Sequence, residues 1–166
     1  MGANDMQKIT ACLWFDDNAE EAAEFYTAIF PNSKVTGISR YGEAGAKVAG
    51  RPKGSVLVIT FRLDGQEFMA LNGGPQFKFN EAVSFVVNCK TQAELDRYWK
   101  KLSAGGEEVQ CGWLTDKFGV SWQIVSTVVA KMMQDKDGEK SNRVMQAVLR
   151  MKKLDIKKLK TAYSGK

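Results

Sequence analysis

The chain has 166 residues, 44% of them hydrophobic and 26% charged, which is enough for one domain or two small fused halves and too few for several independent enzyme domains. It contains no histidine, and this excludes imidazole-based catalytic triads, His-rich zinc sites and the two-His-one-carboxylate iron site. Of the net charge of +5, residues 1–126 contribute 13 Lys/Arg against 15 Asp/Glu and residues 127–166 contribute 11 against 4, so the basicity belongs to the C-terminal stretch and says little about what the body recognises.

Residues 8–15, KITACLWF, alternate Ile9/Ala11/Leu13/Phe15 against Thr10/Cys12/Trp14, which predicts a strand with two unlike sides. Asp16-Asp17-Asn18 ends it. A helix follows, with Asn18 as N-cap, Glu21 at N3, the stripe Ala22, Phe25, Tyr26, Ile29 and Phe30, and a stop at Pro31-Asn32. The paired acids Asp16-Asp17 suit a helix N-terminus without any catalytic role. Further strands are expected at 34–41, 55–63 and 66–72, the last two joined by the turn Asp64-Gly65, with 42–54 as a long glycine-rich loop. Gly73-Gly74-Pro75 lacks the Lys-Ser/Thr of a phosphate loop and reads as a linker turn.

The plan then restarts. A strand at 81–88 precedes a helix opened by a Thr91/Glu94 capping box, carrying Leu95, Tyr98, Trp99 and Leu102 and leaving at Gly105-Gly106. Strands are expected again at 107–111, 113–115 and 120–126. A shift of 72 residues lays Cys12-Leu13-Trp14-Phe15 on Ser84-Phe85-Val86-Val87 and Tyr26 on Tyr98, which predicts an internal duplication of a β-α-β-β-β unit. The expected organisation is an α+β domain over 6–126 made of repeats at about 8–73 and 81–126, followed by a basic helical extension over 127–166 in which Asp155 caps the last segment.

Cys12, Cys89 and Cys111 are odd in number and form no C-x-x-C pair, which fits reduced thiols and a cytoplasmic address. No apolar run approaches the roughly 20 residues of a membrane span, and the first six residues lack the marks of a secretory leader.

Several stretches, among them LWFDDNAEEAAEFYTAIFPNS (13–33), ALNGGPQFKFNEAVSF (70–85) and CGWLTDKFGVSWQIV (111–125), resemble the PhnB-like branch of the vicinal oxygen chelate superfamily, which includes glyoxalase I, bleomycin-resistance proteins and extradiol dioxygenases. The resemblance implies paired βαβββ modules, a homodimer and a pocket in each curved sheet. Members often carry the label 3-demethylubiquinone 3-methyltransferase, yet the common methyltransferase needs a glycine-rich turn after its first strand, where this chain has Asp16-Asp17-Asn18. Metal-dependent relatives hold a divalent ion with side chains whose positions fall here on Thr10, Ala82, about Asn72 and Gln123, none of them ionisable, so no metal and no cofactor are expected. A shifted register would bring Glu67 or Glu81 inward instead.

The candidate pocket is therefore a neutral polar one: Thr10, Cys12, Trp14, Asn72, Ser84, Ser121 and Gln123, suited to a planar, weakly polar ligand stacked on Trp14. The competing expectation is a filled cup in which these groups satisfy one another. Three functions stay open. One is a metal-free small-molecule-binding protein. Another is a metal-independent enzyme acting on a small carbonyl, aromatic or quinone substrate, with Gln123 and Asn72 polarising an oxygen and Cys12, or a water near Thr10, handling protons. The last is an interaction module using the basic C-terminal helices, with nucleic acid disfavoured because the apolar spacing there favours packing. Without a neighbouring base the Cys12 thiol should stay protonated, and Trp122, alternating with Gln123, should face a helix.

Overall fold

A computed structural model describes residues 7–165; Met6, at the expected domain boundary, and Lys166 lie outside the described residues. The chain divides between Lys78 and Phe79 into two units. In the first, β1 (Ala11–Phe15), α1 (Ala19–Ile29), β2 (Lys34–Arg40), α2 (Glu43–Ala49), β3 (Val56–Leu63) and β4 (Gln66–Asn72) form a four-stranded sheet of order β1-β4-β3-β2 with α1 against it. β1 and β4 are parallel and the other pairs antiparallel. The alternation in the sequence sets the two sides. Leu13, Phe15, Ile59, Phe61, Leu63, Phe68 and Ala70 are buried, together with Ala19, Ala22, Ala23, Tyr26 and Ile29 of α1. Phe61 stacks between Tyr26 and Phe68 at centroid distances of 6.3 and 5.5 Å.

Two expectations change in this half. The 42–54 segment is not all loop: α2 fills part of it, favoured by its alanines, by Glu43 in the first turn, Lys47 in the last, and Gly50 in the left-handed C-cap conformation at φ 64°. It carries no apolar stripe, burying Ala46 alone, so periodicity could not reveal it. Asn18 occupies the N-cap position of α1 but makes no side-chain cap. Asn72, from the end of β4, supplies it, its Oδ1 accepting from the Ala19 N–H at 2.9 Å.

The second unit repeats the plan with β5 (Phe85–Cys89), α3 (Gln92–Leu102), β6 (Glu107–Glu108), β7 (Trp113–Thr115) and β8 (Ser121–Ser126) in the order β5-β8-β7-β6, again with a parallel β5–β8 pair. The same order and the same strand directions in both sheets are the duplication expressed in hydrogen bonds. α1 and α3 recur 73 residues apart and β1 and β5 74, against the 72 read from the sequence. The strand slip of two keeps every side chain on its own side of the sheet, since the pleat repeats every second residue. The capping box opens α3 as expected, Thr91 Oγ1 accepting from Glu94 N at 3.2 Å while Glu94 accepts from Lys90 N at 2.7 Å.

β5 starts at Phe85 rather than at residue 81. The strand expected over 107–111 keeps only Glu107 and Glu108, because Cys111 turns to φ 63° and its N–H donates to Met151 O at 2.7 Å instead of to a strand.

The extension forms α4 (Thr127–Met133), α5 (Gly138–Val148) and α6 (Ile156–Ser164) and belongs to the second unit. Asp155 caps α6 through Lys158 N at 3.0 Å, as the sequence predicts. Val144, Val148, Ile156 and Leu159 are buried, and Gly112 N donates to Lys152 O at 2.8 Å, so the segment is stitched to the start of β7.

Candidate functional site

The side of the first sheet away from α1 carries Cys12 and Trp14 from β1, Thr60 and Arg62 from β3, and Glu67 and Met69 from β4, as the pairings Cys12↔Met69, Arg62↔Glu67 and Thr60↔Met69 require, with Thr10 just ahead of β1. Thr10, Thr36, Thr60, Glu67 and Met69 line a cavity of about 250 Å³ there, with Phe61 and Phe68. Arg62 Nη2 donates to Glu67 Oε1 at 2.7 Å, and its Nε–H is buried without a partner. Thr36 and Thr60 hydroxyls meet at 3.1 Å. The pattern reading of the pocket does not include Thr36, Thr60 or Arg62, and it brings Glu67 inward only with a shifted register. Their signal is the alternation of Thr60 and Arg62 with Ile59, Phe61 and Leu63 along one strand, which the apolar half of the pattern obscures.

Trp14 is fixed by the segment that follows β4. Its Nε1–H donates to Gly74 O at 2.8 Å and Phe77 meets it edge-on, centroids 4.9 Å apart. A Cβ on Gly73 would stand 2.3 Å from the indole, so glycine there is what lets the ring lie on the backbone. The Asn-Gly-Gly-Pro segment is thus a clamp on Trp14 as well as a turn.

Asn72 does not join this side. It pairs with Phe15 in the parallel ladder and so faces α1, 5% exposed, with Oδ1 on Ala19 N and Nδ2 donating to Val56 O at 3.1 Å. The expectation that Asn72 lies in the pocket is corrected: its side chain is fully engaged in holding the helix and β3.

In the second unit Trp113 pairs with Gln123 and Thr115 with Ser121, which sets these four on the side away from α3. Gln123 Nε2 donates to Ser84 Oγ at 2.9 Å, so these two predicted residues are brought together. Ser121 is 2% exposed and its hydroxyl is buried without a partner. Trp122 turns the other way, as expected, against Phe85 at 5.4 Å, its Nε1 donating to Asp116 Oδ2 at 2.8 Å. Asp116, 3% exposed, also accepts from the Phe118 and Val120 N–H groups at 2.9 and 3.0 Å, so the Asp-Lys-Phe-Gly-Val-Ser-Trp run is a loop organised around one buried carboxylate.

The four positions inherited from metal-binding relatives do not fit a divalent ion. Thr10 is neutral, Asn72 faces the helix, Gln123 is bonded to Ser84, and Ala82 precedes β5 with no donor atom in its side chain. Glu67 does face the open side, but Arg62 neutralises it. Among the described residues no group of three or more Cys, Asp or Glu is placed to hold a metal. The turn after β1 is filled too, since Arg51 bonds both the carbonyl and the carboxylate of Asp16.

Among the thiols, burial pushes Cys12 above its ordinary value even though part of the residue is exposed. Cys89, with no exposed surface, is pushed up to about 12 by burial, then by the charge of Glu94, against a smaller opposing effect of Arg97. Neither is poised as a nucleophile.

Two sheets of this topology, each backed by a helix, define the vicinal oxygen chelate superfamily architecture. Residues 7–125 match the family model described as 3-demethylubiquinone-9 3-methyltransferase, and the chain belongs to that family. Among solved structures, the PhnB protein from Bacillus cereus is 40% identical, with 73% of this chain and 100% of that one covered and a TM-score of 0.65. Protein PA1353 from Pseudomonas aeruginosa, 20% identical over 73% of this chain and 98% of its own with a TM-score of 0.58, shares the fold. A comparison with curated proteins returns no match. Among the described residues no helix is long and apolar enough to cross a membrane.

Proposed function

We propose that the protein is a metal-free small-molecule-binding member of its superfamily, and that its ligand is a planar, weakly polar molecule held on the face of a sheet opposite its helix. The observation that carries this reading is the clamped indole of Trp14 on the same sheet face as the cavity lined by Thr10, Thr60 and Glu67, whose carboxylate Arg62 neutralises: an aromatic wall beside hydrogen-bonding groups. Thr10, Cys12 and Trp14 are the residues assigned to binding in the first unit, and Ser84, Ser121 and Gln123 are the candidates of the second unit taken by itself; Asn72 is not assigned. The binding function is assigned to the domain over 6–126, and 127–166 support the second unit. Homodimeric assembly and a reducing, cytoplasmic setting complete the reading, the latter supported by three free cysteines. An enzymatic role using Cys12 is disfavoured by its raised thiol, and methyl transfer by the Arg51-filled turn.

The test is a thermal-shift screen of quinones and other aromatic compounds, with and without excess EDTA. A stabilising compound should act equally in both arms and lose its effect in Trp14→Ala. A stoichiometric, tightly bound metal in freshly purified protein, or binding abolished by EDTA, would refute the proposal.

A further inference from the structure

Where α6 passes the start of α3, an open cleft of about 520 Å³ lies wholly within the second unit. Lys90 and Thr91 border it from the α3 side and Lys157, Lys160 and Thr161 from α6, over the apolar side chains of Val128 and Ile156. Positions 157, 160 and 161 share one face of α6 because residues three and four apart are neighbours on a helix. Gln92 fixes the shape of the cleft. Its Oε1 accepts from Ile156 N at 2.8 Å and its Nε2 donates to Leu154 O at 3.1 Å and Asp96 Oδ1 at 3.0 Å, so separating α3 from α6 breaks two of these half-buried hydrogen bonds.

No carboxylate lines this cleft. The acids around it are engaged elsewhere: Asp96 with Lys153 at 2.7 Å, Asp155 with Lys158 N, and Glu94 with the Lys90 N–H. Among the described residues none of the ammonium groups of Lys90, Lys157 and Lys160 has an acidic partner. Thr91 Oγ1 accepts from Glu94 N, which leaves its hydroxyl proton available to a ligand.

We infer that this cleft binds an organic phosphate: the phosphate or diphosphate sits among Lys90, Lys157, Lys160 and the Thr91 hydroxyl, and the organic part lies on Val128 and Ile156. Three mobile point charges suit a tetrahedral phosphate, whereas planar bidentate capture of a carboxylate calls for the guanidinium fork of arginine, which the lining lacks. The size is that of a small-molecule site. A nucleic-acid strand is the poorer fit, because no aromatic side chain lines the cleft to stack a base. Lys157, Lys160 and Thr161 lie beyond residue 125, where the family match ends, so the site is a property of the extension.

The experiment titrates inorganic pyrophosphate into the full chain at low salt, followed by calorimetry and by amide chemical shifts. Saturable one-to-one binding is expected, with shifts centred on Lys90, Thr91, Lys160 and Thr161. The double variant K157A/K160A should weaken binding by about tenfold or more, since two charge contacts are lost. The control K100A/K101A removes the same charge from the last turn of α3 and should change affinity by less than about twofold. Both pairs place alanine at exposed helical positions, which helix propensity favours, so folding is retained. Equal losses in the two variants, absence of saturation, or shifts centred elsewhere would overturn the assignment. A mixed-sequence single-stranded DNA that displaces pyrophosphate and shifts a wider set of lysines would overturn it in favour of nucleic acid.

Discussion

Gly73→Ala tests the clamp on Trp14. The new methyl would lie 2.3 Å from Cζ2, 2.4 Å from Cε2 and 2.6 Å from Cη2 of the indole. Carbon atoms in contact settle at about 3.5–4.0 Å, so the ring must retreat by roughly 1 Å or more. Retreat breaks the 2.8 Å bond to Gly74 O, worth about 1 kcal/mol, and the edge contact with Phe77, worth about another 1 kcal/mol. Against this stands a gain of about 0.5 kcal/mol from the stiffer unfolded chain. The net expectation is a loss of about 1.5 kcal/mol, or a fall in Tm of about 3–6 °C for a chain of this size. Urea denaturation of wild type, Gly73→Ala, Trp14→Ala and the double variant gives the assay. In the Trp14→Ala background the added methyl meets nothing and should be neutral or slightly stabilising, which leaves a coupling of about 1.5–2 kcal/mol. Equal cost in both backgrounds, or no cost in either with an unchanged near-ultraviolet signal, would refute the clamp.

Asp116→Ala should be more damaging, about 3 kcal/mol, because it strands the N–H groups of Phe118 and Val120 and the indole N–H of Trp122 together; a loss below about 1 kcal/mol on urea denaturation would show that the carboxylate does not organise the loop. Cys89 makes stability fall with alkaline pH. With the folded thiol at about 12 and an ordinary value of 9.0, the unfolded chain loses its proton first, so stability is full below pH 9.0 and is lost as pH rises from there toward 12. Cys89→Ala should flatten that part of the pH profile, and an equally steep decline in the variant would assign it to other groups.

Which residues could be read from the chain follows from how local their cause is. The two sides of β1, the Thr91 box and the Asp155 cap depend on neighbours within a few residues, and the structure has them as the pattern predicts. Asn72 differs from the expected pocket position, and parity alone places it: it stands two residues after Ala70 and four after Phe68, on the buried side of the same strand. Its use as a distant cap for α1 was not legible, because Asn18 offered a plausible local one. The shortening of the 107–111 strand depends on a carbonyl forty residues away in sequence, at Met151, and no periodicity reports such a partner. Arg62 and Glu67 sit across a hairpin, and their pairing follows from the Asp64-Gly65 turn once the register is known. The candidate site was legible as a side of a sheet, and its particular members depended on that register.

The C-terminal segment has a consequence for where the molecule can be cut. A duplicated unit begins as the twin of its neighbour, able in principle to tolerate the same changes. In the second unit the main chain at Cys111 and Gly112 relies on Met151 and Lys152, and Gln92 on Leu154 and Ile156, so that unit is not self-sufficient without the extension. Removing the chain after residue 126, the seam that the repeat pattern suggests, would orphan those amides and leave the Gln92 amide without its Leu154 and Ile156 partners, whereas the ladder of the first sheet is made within its own strands. Repeat seam and foldable boundary therefore differ in the second unit.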